Sequence, residues 1–205
     1  MSFITHWQIR EVTLADLGPL TRQLLDTAGQ AGFRPDCVLY LETGARLLAI
    51  EACRQLGAAA VPLKIQRRGG EAKGWLTCVL GRLPTWLKDL LRQLEARFLW
   101  RRMQDERLIG EAPAVDLAGR RVLILDDAVD TGASIRLARE WAVSQGAAAD
   151  QIRVAALTVT TAVAEPEVDF VLFRQMCRFP WSSDSREREA YRIAYAAAIV
   201  PRLDA

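Results

Sequence analysis

The sequence predicts an α/β protein with a central, mostly parallel sheet, and three features carry that expectation. Apolar runs of strand length recur at Cys37–Leu41, Ala59–Ile65, Arg121–Leu125, Ile152–Thr160 and Val168–Phe173. Helical stretches lie between them, Arg46–Leu56 closed by Gly57 and Ser134–Ser144 ended by Gly146. Glycine-bearing loops join each strand to the helix after it. A parallel neighbour requires a crossover, so this strand–loop–helix–strand rhythm is the unit of a parallel sheet.

The rhythm has a preface, one interruption and a tail. Leu17, Leu20, Leu24 and Leu25 recur at helical spacing, which predicts a helix over residues 12–31 capped by Asp16 or Thr13. Phe33-Arg34-Pro35-Asp36 breaks it. Arg67–Gly74 is polar and basic and reads as a mobile loop. Thr85–Met103 carries Leu87, Leu90, Leu91, Leu94 and Phe98 on one face, with Arg92, Glu95 and Arg102 off it. This predicts an inserted helix, with a connection after it over 104–118 that contains Gly110 and Pro113. The insert as a whole spans about 75–118. Residues 185–199 are helical in composition. All 205 residues are expected to form one domain, a length sufficient for a sizeable core.

Composition narrows the function. A formal charge of +2 gives no sign of nucleic-acid binding. Cys37, Cys53, Cys78 and Cys177 form no CxxC pair, so zinc and thioredoxin-like sites lack their spacing. Reduced thiols and a start without an apolar signal core predict a cytoplasmic protein. No apolar run is long enough to span a membrane. The single histidine, His6, stands beside Trp7 and reads as a surface or packing residue. No GxGxxG or GxxxxGK[ST] loop is present.

Residues 122–135 carry the chemistry. Val122-Leu123-Ile124-Leu125 is a buried-strand sequence running into Asp126 and Asp127. Ala128-Val129-Asp130-Thr131-Gly132-Ala133-Ser134-Ile135 then opens a helix. Acids at the carboxyl end of a parallel strand lie in the crevice where such sheets bind ligands. They can accept hydrogen bonds from vicinal sugar hydroxyls, or hold Mg²⁺ through water. The small residues after them let backbone N–H groups approach an anion at a helix start, with the Thr131 and Ser134 hydroxyls to complete a phosphate cradle. Acceptors for a sugar beside donors for a phosphate describe a site for a ribose 5-phosphate. Helix capping alone would need one acid, not three.

This segment resembles the 5-phosphoribosyl-1-pyrophosphate (PRPP) motif of type I phosphoribosyltransferases. The resemblance implies the three-layer phosphoribosyltransferase-type fold, with a small hood at about 174–190. It implies that Asp126 and Asp127 hold the ribose hydroxyls and, through water, Mg²⁺. Asp130, Thr131, Gly132, Ala133 and Ser134 would wrap the 5-phosphate. Glu42-Thr43-Gly44-Ala45 resembles the family's pyrophosphate loop, although Ala45 stands where a second glycine is common. Thr43, Gly44 and Ala45, together with Arg67 and Arg68 in a closing loop, would take the pyrophosphate. Arg178-Phe179-Pro180-Trp181 resembles the hood of purine-type members, where Phe179 and Trp181 would stack on the base.

The activity implied by the resemblance is transfer of ribose 5-phosphate from PRPP to a nitrogenous base with release of pyrophosphate, in a homodimer by analogy with the family. An aspartate directly before Thr-Gly is typical of family members acting on 6-oxopurines, which gives Asp130 a catalytic role near the base. One departure opposes this: Thr158-Val159-Thr160-Thr161 lacks the lysine those enzymes usually carry. The apolar inserted helix, flanked by Lys88, Arg92, Arg97, Arg101 and Arg102, fits subunit packing, a membrane surface or a cap over the acceptor. A non-catalytic regulator that senses PRPP or nucleotide on the same fold is the alternative reading.

Overall fold

All five residues of strand β2 (Cys37–Leu41) are buried, and they alternate between two cores. Val38 and Tyr40 enter one; Cys37, Leu39 and Leu41 enter the other. A strand covered on both faces must be apolar on both, which is why this run shows no polar alternation. In the computed structural model, which describes residues 9–42, 44–67 and 107–203, β2 lies near the middle of a six-stranded sheet. Its partners are β3 (Ala59–Arg67), β4 (Arg107–Glu111), β5 (Val122–Val129), β6 (Ile152–Val159) and β7 (Phe170–Phe173). The order is β4-β3-β2-β5-β6-β7, parallel throughout except for β4, which runs antiparallel to β3 at one edge.

Helices cover both faces, completing three layers. Helices α1 (Leu14–Gln30) and α2 (Arg46–Leu56) bury Leu17, Leu24, Leu48 and Cys53 against Val38, Tyr40, Leu123 and Leu125. Helix α3 (Ala133–Ser144) buries Ile135, Ala138 and Trp141 against Leu39, Ile124 and Val154 on the other face. Thr13 is the N-cap of α1: its backbone N–H and its hydroxyl both donate to Asp16, at 2.8 Å and 2.6 Å. Helix α2 stops at Gly57, whose φ of 63° is the left-handed conformation of a C-cap.

A second, two-stranded sheet pairs β1 (Arg10–Glu11) with β8 (Cys177–Arg178) in parallel. Arg178 staples this hood together. It is 8 % exposed and donates from Nη1 to Glu11 at 2.9 Å and from Nε to Asp184 at 2.9 Å. Glu187 accepts from the backbone N–H of Leu14 at 2.6 Å, tying the hood to the start of α1. Helix α4 (Arg188–Ala197) comes next, and the chain then returns to the sheet. Ala60 donates to the Pro201 carbonyl and accepts from the Leu203 N–H.

Three expectations are corrected. Residues 107–111, expected within a connection of the insert, form β4, because Leu108 and Ile109 complete the sheet edge beside β3. Arg67, expected in a loop, is the last residue of β3 and pairs with Arg107. Strand β5 does not end at Leu125 but continues through both acids to Val129, held by pairing with β6. The helix expected over 85–103, Arg68 and Thr43 lie outside the described residues. No helix among the described residues is long and apolar enough to cross a membrane.

Removing one partner of a buried ion pair leaves the other charge uncompensated, at a cost of about 3–5 kcal/mol. Arg178→Met is therefore expected to lower unfolding free energy by about that amount in urea titration, because Asp184 is buried beside it. A loss within experimental error would remove Arg178 as the staple of the hood.

Candidate functional site

From β2 the chain winds outward to β3, whereas from β5 it winds the opposite way to β6 and β7. Loops leaving the two central strands therefore diverge, and a crevice opens at their carboxyl ends. The parallel register, Tyr40 opposite Leu125, brings Gly44 from one strand end and Asp126–Gly132 from the other to the same place. The sheet topology alone places a crevice there.

On the β5 side, Asp126, Ala128 and the run Val129–Ile135 line a cavity of about 120 Å³ at the start of α3. Gly132 is its N-cap, with φ of 75°, a left-handed conformation that side chains resist. A Cβ on Gly132 would also come within 2.5 Å of the Glu167 side chain. Glu167 accepts from Arg136 Nη1 at 2.8 Å, and the same nitrogen reaches the Thr131 carbonyl at 3.3 Å. The loop is thus fixed from outside while its inner surface, at a helix N-terminus, faces the cavity. That arrangement favours an anion.

Asp130 is held at two points. Its carboxylate accepts from the Thr160 hydroxyl at 2.6 Å, and its backbone carbonyl accepts from the Thr161 hydroxyl. Both threonines directly succeed β6, the neighbour of β5, so adjacent strand ends supply both the aspartate and its restraints. Thr158, 0 % exposed, is committed elsewhere: its hydroxyl donates to the Phe173 and Gln175 carbonyls.

Asp126 and Asp127 part company although they are neighbours. Asp126 lines the cavity and accepts from the Asp127 backbone N–H at 2.9 Å. Asp127 turns to Gly44, where an added Cβ would lie 2.3 Å from its carboxylate. Its Oδ2 accepts from the indole N–H of Trp181 at 2.7 Å. Burial pushes both carboxyls above their ordinary range, Asp126 well above it because the Asp127 charge lies beside it. On Asp127 the hydrogen bonds from the Asp126 carboxyl and from Trp181 pull the other way. Two crowded acids of this kind are relieved by hydroxyl donors or by a cation.

Comparison with known proteins decides the family. A family model described as phosphoribosyl transferase domain matches residues 10–181. The chain belongs to that family. Its chemistry is PRPP-dependent transfer of a phosphoribosyl group, and the protein is an enzyme of the pentosyltransferase class. No curated protein sequence matches the chain. Among solved structures, a purine phosphoribosyltransferase from Pyrococcus horikoshii is 19 % identical, with a TM-score of 0.58 over 85 % of this chain and 95 % of that one. The xanthine-guanine-hypoxanthine phosphoribosyltransferase of Helicobacter pylori is 11 % identical, with a TM-score of 0.60 over 92 % and 99 %. A hypothetical protein from Neisseria gonorrhoeae with bound ppGpp is 16 % identical, with a TM-score of 0.58 over 94 % and 99 %. At these identities the likeness is one of fold.

Within this phosphoribosyltransferase, the structure gathers most of the residues expected at the site. Asp126 and Asp130–Ser134 share one cavity, while Gly44 packs on the carboxylate of the neighbouring Asp127. Ala45 is fully buried and is the N-cap of α2, so a second glycine is not required there. Phe179 is corrected: it is 4 % exposed, and its ring lies flat on Trp181 with centroids 4.9 Å apart, so it is core rather than an open platform for a base. Sequence reasoning misses Thr160, Arg136 and the contact between Gly44 and Asp127. The first has a signal in the Thr160-Thr161 pair at a strand end, whereas the other two depend on packing.

Cysteine chemistry gains no support. Cys37 and Cys53 are buried free thiols, each pushed up to about 11 by burial, which keeps them protonated and unreactive.

Two variants test this geometry. Gly44→Ala is expected to displace the Asp127 carboxylate and weaken MgPRPP binding by calorimetry, with the fold retained; wild-type affinity would show that the contact is dispensable. Asp126→Asn should raise the melting temperature at neutral pH. The folded-state pKa of Asp126 lies above its unfolded value, so ionisation costs stability as pH rises through that window. The gain should vanish at pH values below the ordinary carboxylate range of about 4, where both states are protonated.

Proposed function

We propose that the acceptor is a purine-type base, a 6-oxopurine or similar heterocycle, attacking the anomeric carbon of PRPP through a ring nitrogen. The observation that carries this reading is Asp130, whose carboxylate is fixed by Thr160 at the edge of the cavity. A carboxylate so placed can take the proton that the ring nitrogen loses as its bond to the sugar forms. Two of the similar folds, from P. horikoshii and H. pylori, are named for purine substrates, which favours the same class.

The site's chemistry assigns the remaining roles. Asp126 and Asp127 accept hydrogen bonds from the ribose hydroxyls. Asp130–Ser134, at the start of α3, enclose the 5-phosphate, using backbone N–H groups and the hydroxyls of Thr131 and Ser134. Thr43, Gly44 and Ala45 take the pyrophosphate, together with Arg67, the last residue of β3, and Arg68. The donor set fits Mg²⁺ held through water: two crowded carboxylates suit a hard cation that keeps several waters and arrives with a diphosphate. Once bound, the cation would neutralise charge on the departing pyrophosphate. The protein's own contribution is positioning, so that the acceptor nitrogen, sugar and leaving group are aligned. As in the family at large, a homodimer is the proposed assembly, readable by light scattering.

The test is turnover. With PRPP, Mg²⁺ and a panel of bases, pyrophosphate release and product mass should identify a purine nucleotide. Turnover only with pyrimidines or non-heterocyclic acceptors would overturn the assignment. Asp130→Asn should slow turnover while PRPP affinity is largely kept, and unchanged turnover would remove Asp130 from the chemistry. Asp126→Ala combined with Asp127→Ala should weaken PRPP binding by roughly a hundredfold or more, since several hydrogen bonds to charged acceptors are lost. Because both acids hold protons more tightly than usual and the ligand prefers them ionised, affinity should fall as pH drops, with proton release on binding. Calorimetry in buffers of different ionisation enthalpy reads that release directly.

A further inference from the structure

Trp181 lies outside the acid-rich segment, yet it reaches into it. Its indole N–H donates to Asp127 Oδ2 at 2.7 Å, while Gly44 closes on the same carboxylate from the β2 side. The ring itself is held in place. Phe179, buried in the main core, stacks on it with an interplanar angle of 1°. Tyr191 of α4 packs against it at 5.3 Å, tilted by 49°. Tyr191 in turn meets Tyr195 at 5.6 Å, and the Arg46 guanidinium lies 4.5 Å from the Tyr195 ring centroid. Arg46 also donates to the Ala198 carbonyl at 2.9 Å. The aromatic series therefore runs from the first residue of α2, directly after the pyrophosphate loop, through the carboxyl-terminal helix, to the acid beside the ribose site.

We propose that Trp181 is a positioning residue for PRPP: its indole N–H orients the Asp127 carboxylate, and its ring transmits the placement of the carboxyl-terminal helix to that acid. This deepens the proposed function, because it rests on Asp127 being a ribose ligand. A carboxylate offers about four acceptor sites, which the indole shares with the Asp126 carboxyl and with backbone N–H groups, so the indole helps to fix the direction in which the acid faces a sugar. The indole is neutral, so it fixes direction without competing as a cation for the substrate's phosphates.

The test uses the full chain and MgPRPP as the titrant, without any base. Trp181→Phe keeps an aromatic ring against Phe179 and Tyr191 but removes the donor. Affinity for MgPRPP is expected to fall on the order of tenfold, the usual weight of a hydrogen bond to a charged group. Wild-type affinity in the variant would overturn the proposal, and so would tighter binding, which would mean that the indole competes with the ribose. If the wild-type protein itself fails to bind MgPRPP, the proposed function fails first and this inference with it. Should Trp181→Phe not fold, the assigned indole proton of wild-type Trp181 decides. It should remain protected from solvent exchange in protein saturated with MgPRPP, and loss of protection on binding would overturn the positioning role.

Discussion

The site rests on one close approach, that of Gly44 to the carboxylate of Asp127. Two parallel strands that send their crossovers in opposite directions leave a gap at their carboxyl ends, and here the gap lies between β2 and β5. The gap is useful only if what enters it from each side fits. With no side chain at residue 44, the loop after β2 can lie against the acid near the end of β5, where even a methyl group would sit 2.3 Å away. The register that pairs Cys37 with Val122 and Tyr40 with Leu125 sets this distance, and the two buried aliphatic runs set the register. A chain of physical causes thus runs from strand composition, through pairing, to the position of a single carboxylate.

That placement is costly. Burial raises the proton affinity of both Asp126 and Asp127, and the Asp127 charge raises that of Asp126 further, so in the ionised form they oppose folding. The apolar layers on either side of β5, with Leu123 and Leu125 in one core and Val122 and Ile124 in the other, supply the stability that tolerates them. On the proposed reading, a ligand bringing hydroxyl donors and a divalent cation would remove the same penalty, turning discomfort in the free protein into affinity for substrate. Local rules broken at a site and compensated elsewhere are the usual mark of function.

Much of this is legible in the sequence, and the limits have physical reasons. Buried parallel strands announce themselves as unbroken aliphatic runs, so β2, β5 and β6 can be read directly. The acid-rich turn is equally plain, because three aspartates among small residues have no packing purpose. Aspartate disfavours strands, so the sequence predicts an end to β5 at Leu125. Tertiary pairing of Asp126 with Ala156 and of Ala128 with Thr158 overrides that preference. Strands β1 and β8 are two residues each, far below the length at which periodicity can speak, and they exist because Arg178 holds Glu11 and Asp184. Strand β4 is hidden because Gly110 makes Arg107–Glu111 resemble a connection. Phe179 and Trp181 are visible as an aromatic pair, but sequence cannot say whether two rings face a ligand or each other.

That last distinction changes where acceptor selection resides. With Phe179 in the core and stacked flat on Trp181, the facing sides of those two rings are spent on each other. A stacking platform accepts any planar ring, since every heterocycle has a π face. An edge contact discriminates, because a buried acceptor left without its donor is penalised. On the proposed reading, discrimination therefore falls to Asp130, whose carboxylate is aimed by Thr160 and whose backbone is tethered by Thr161. On that reading the threonines would replace the charge of a lysine with direction: they supply no cation for an exocyclic oxygen, but they would fix the line along which a ring N–H approaches. A site built this way would select by the position of a hydrogen rather than by the breadth of a ring.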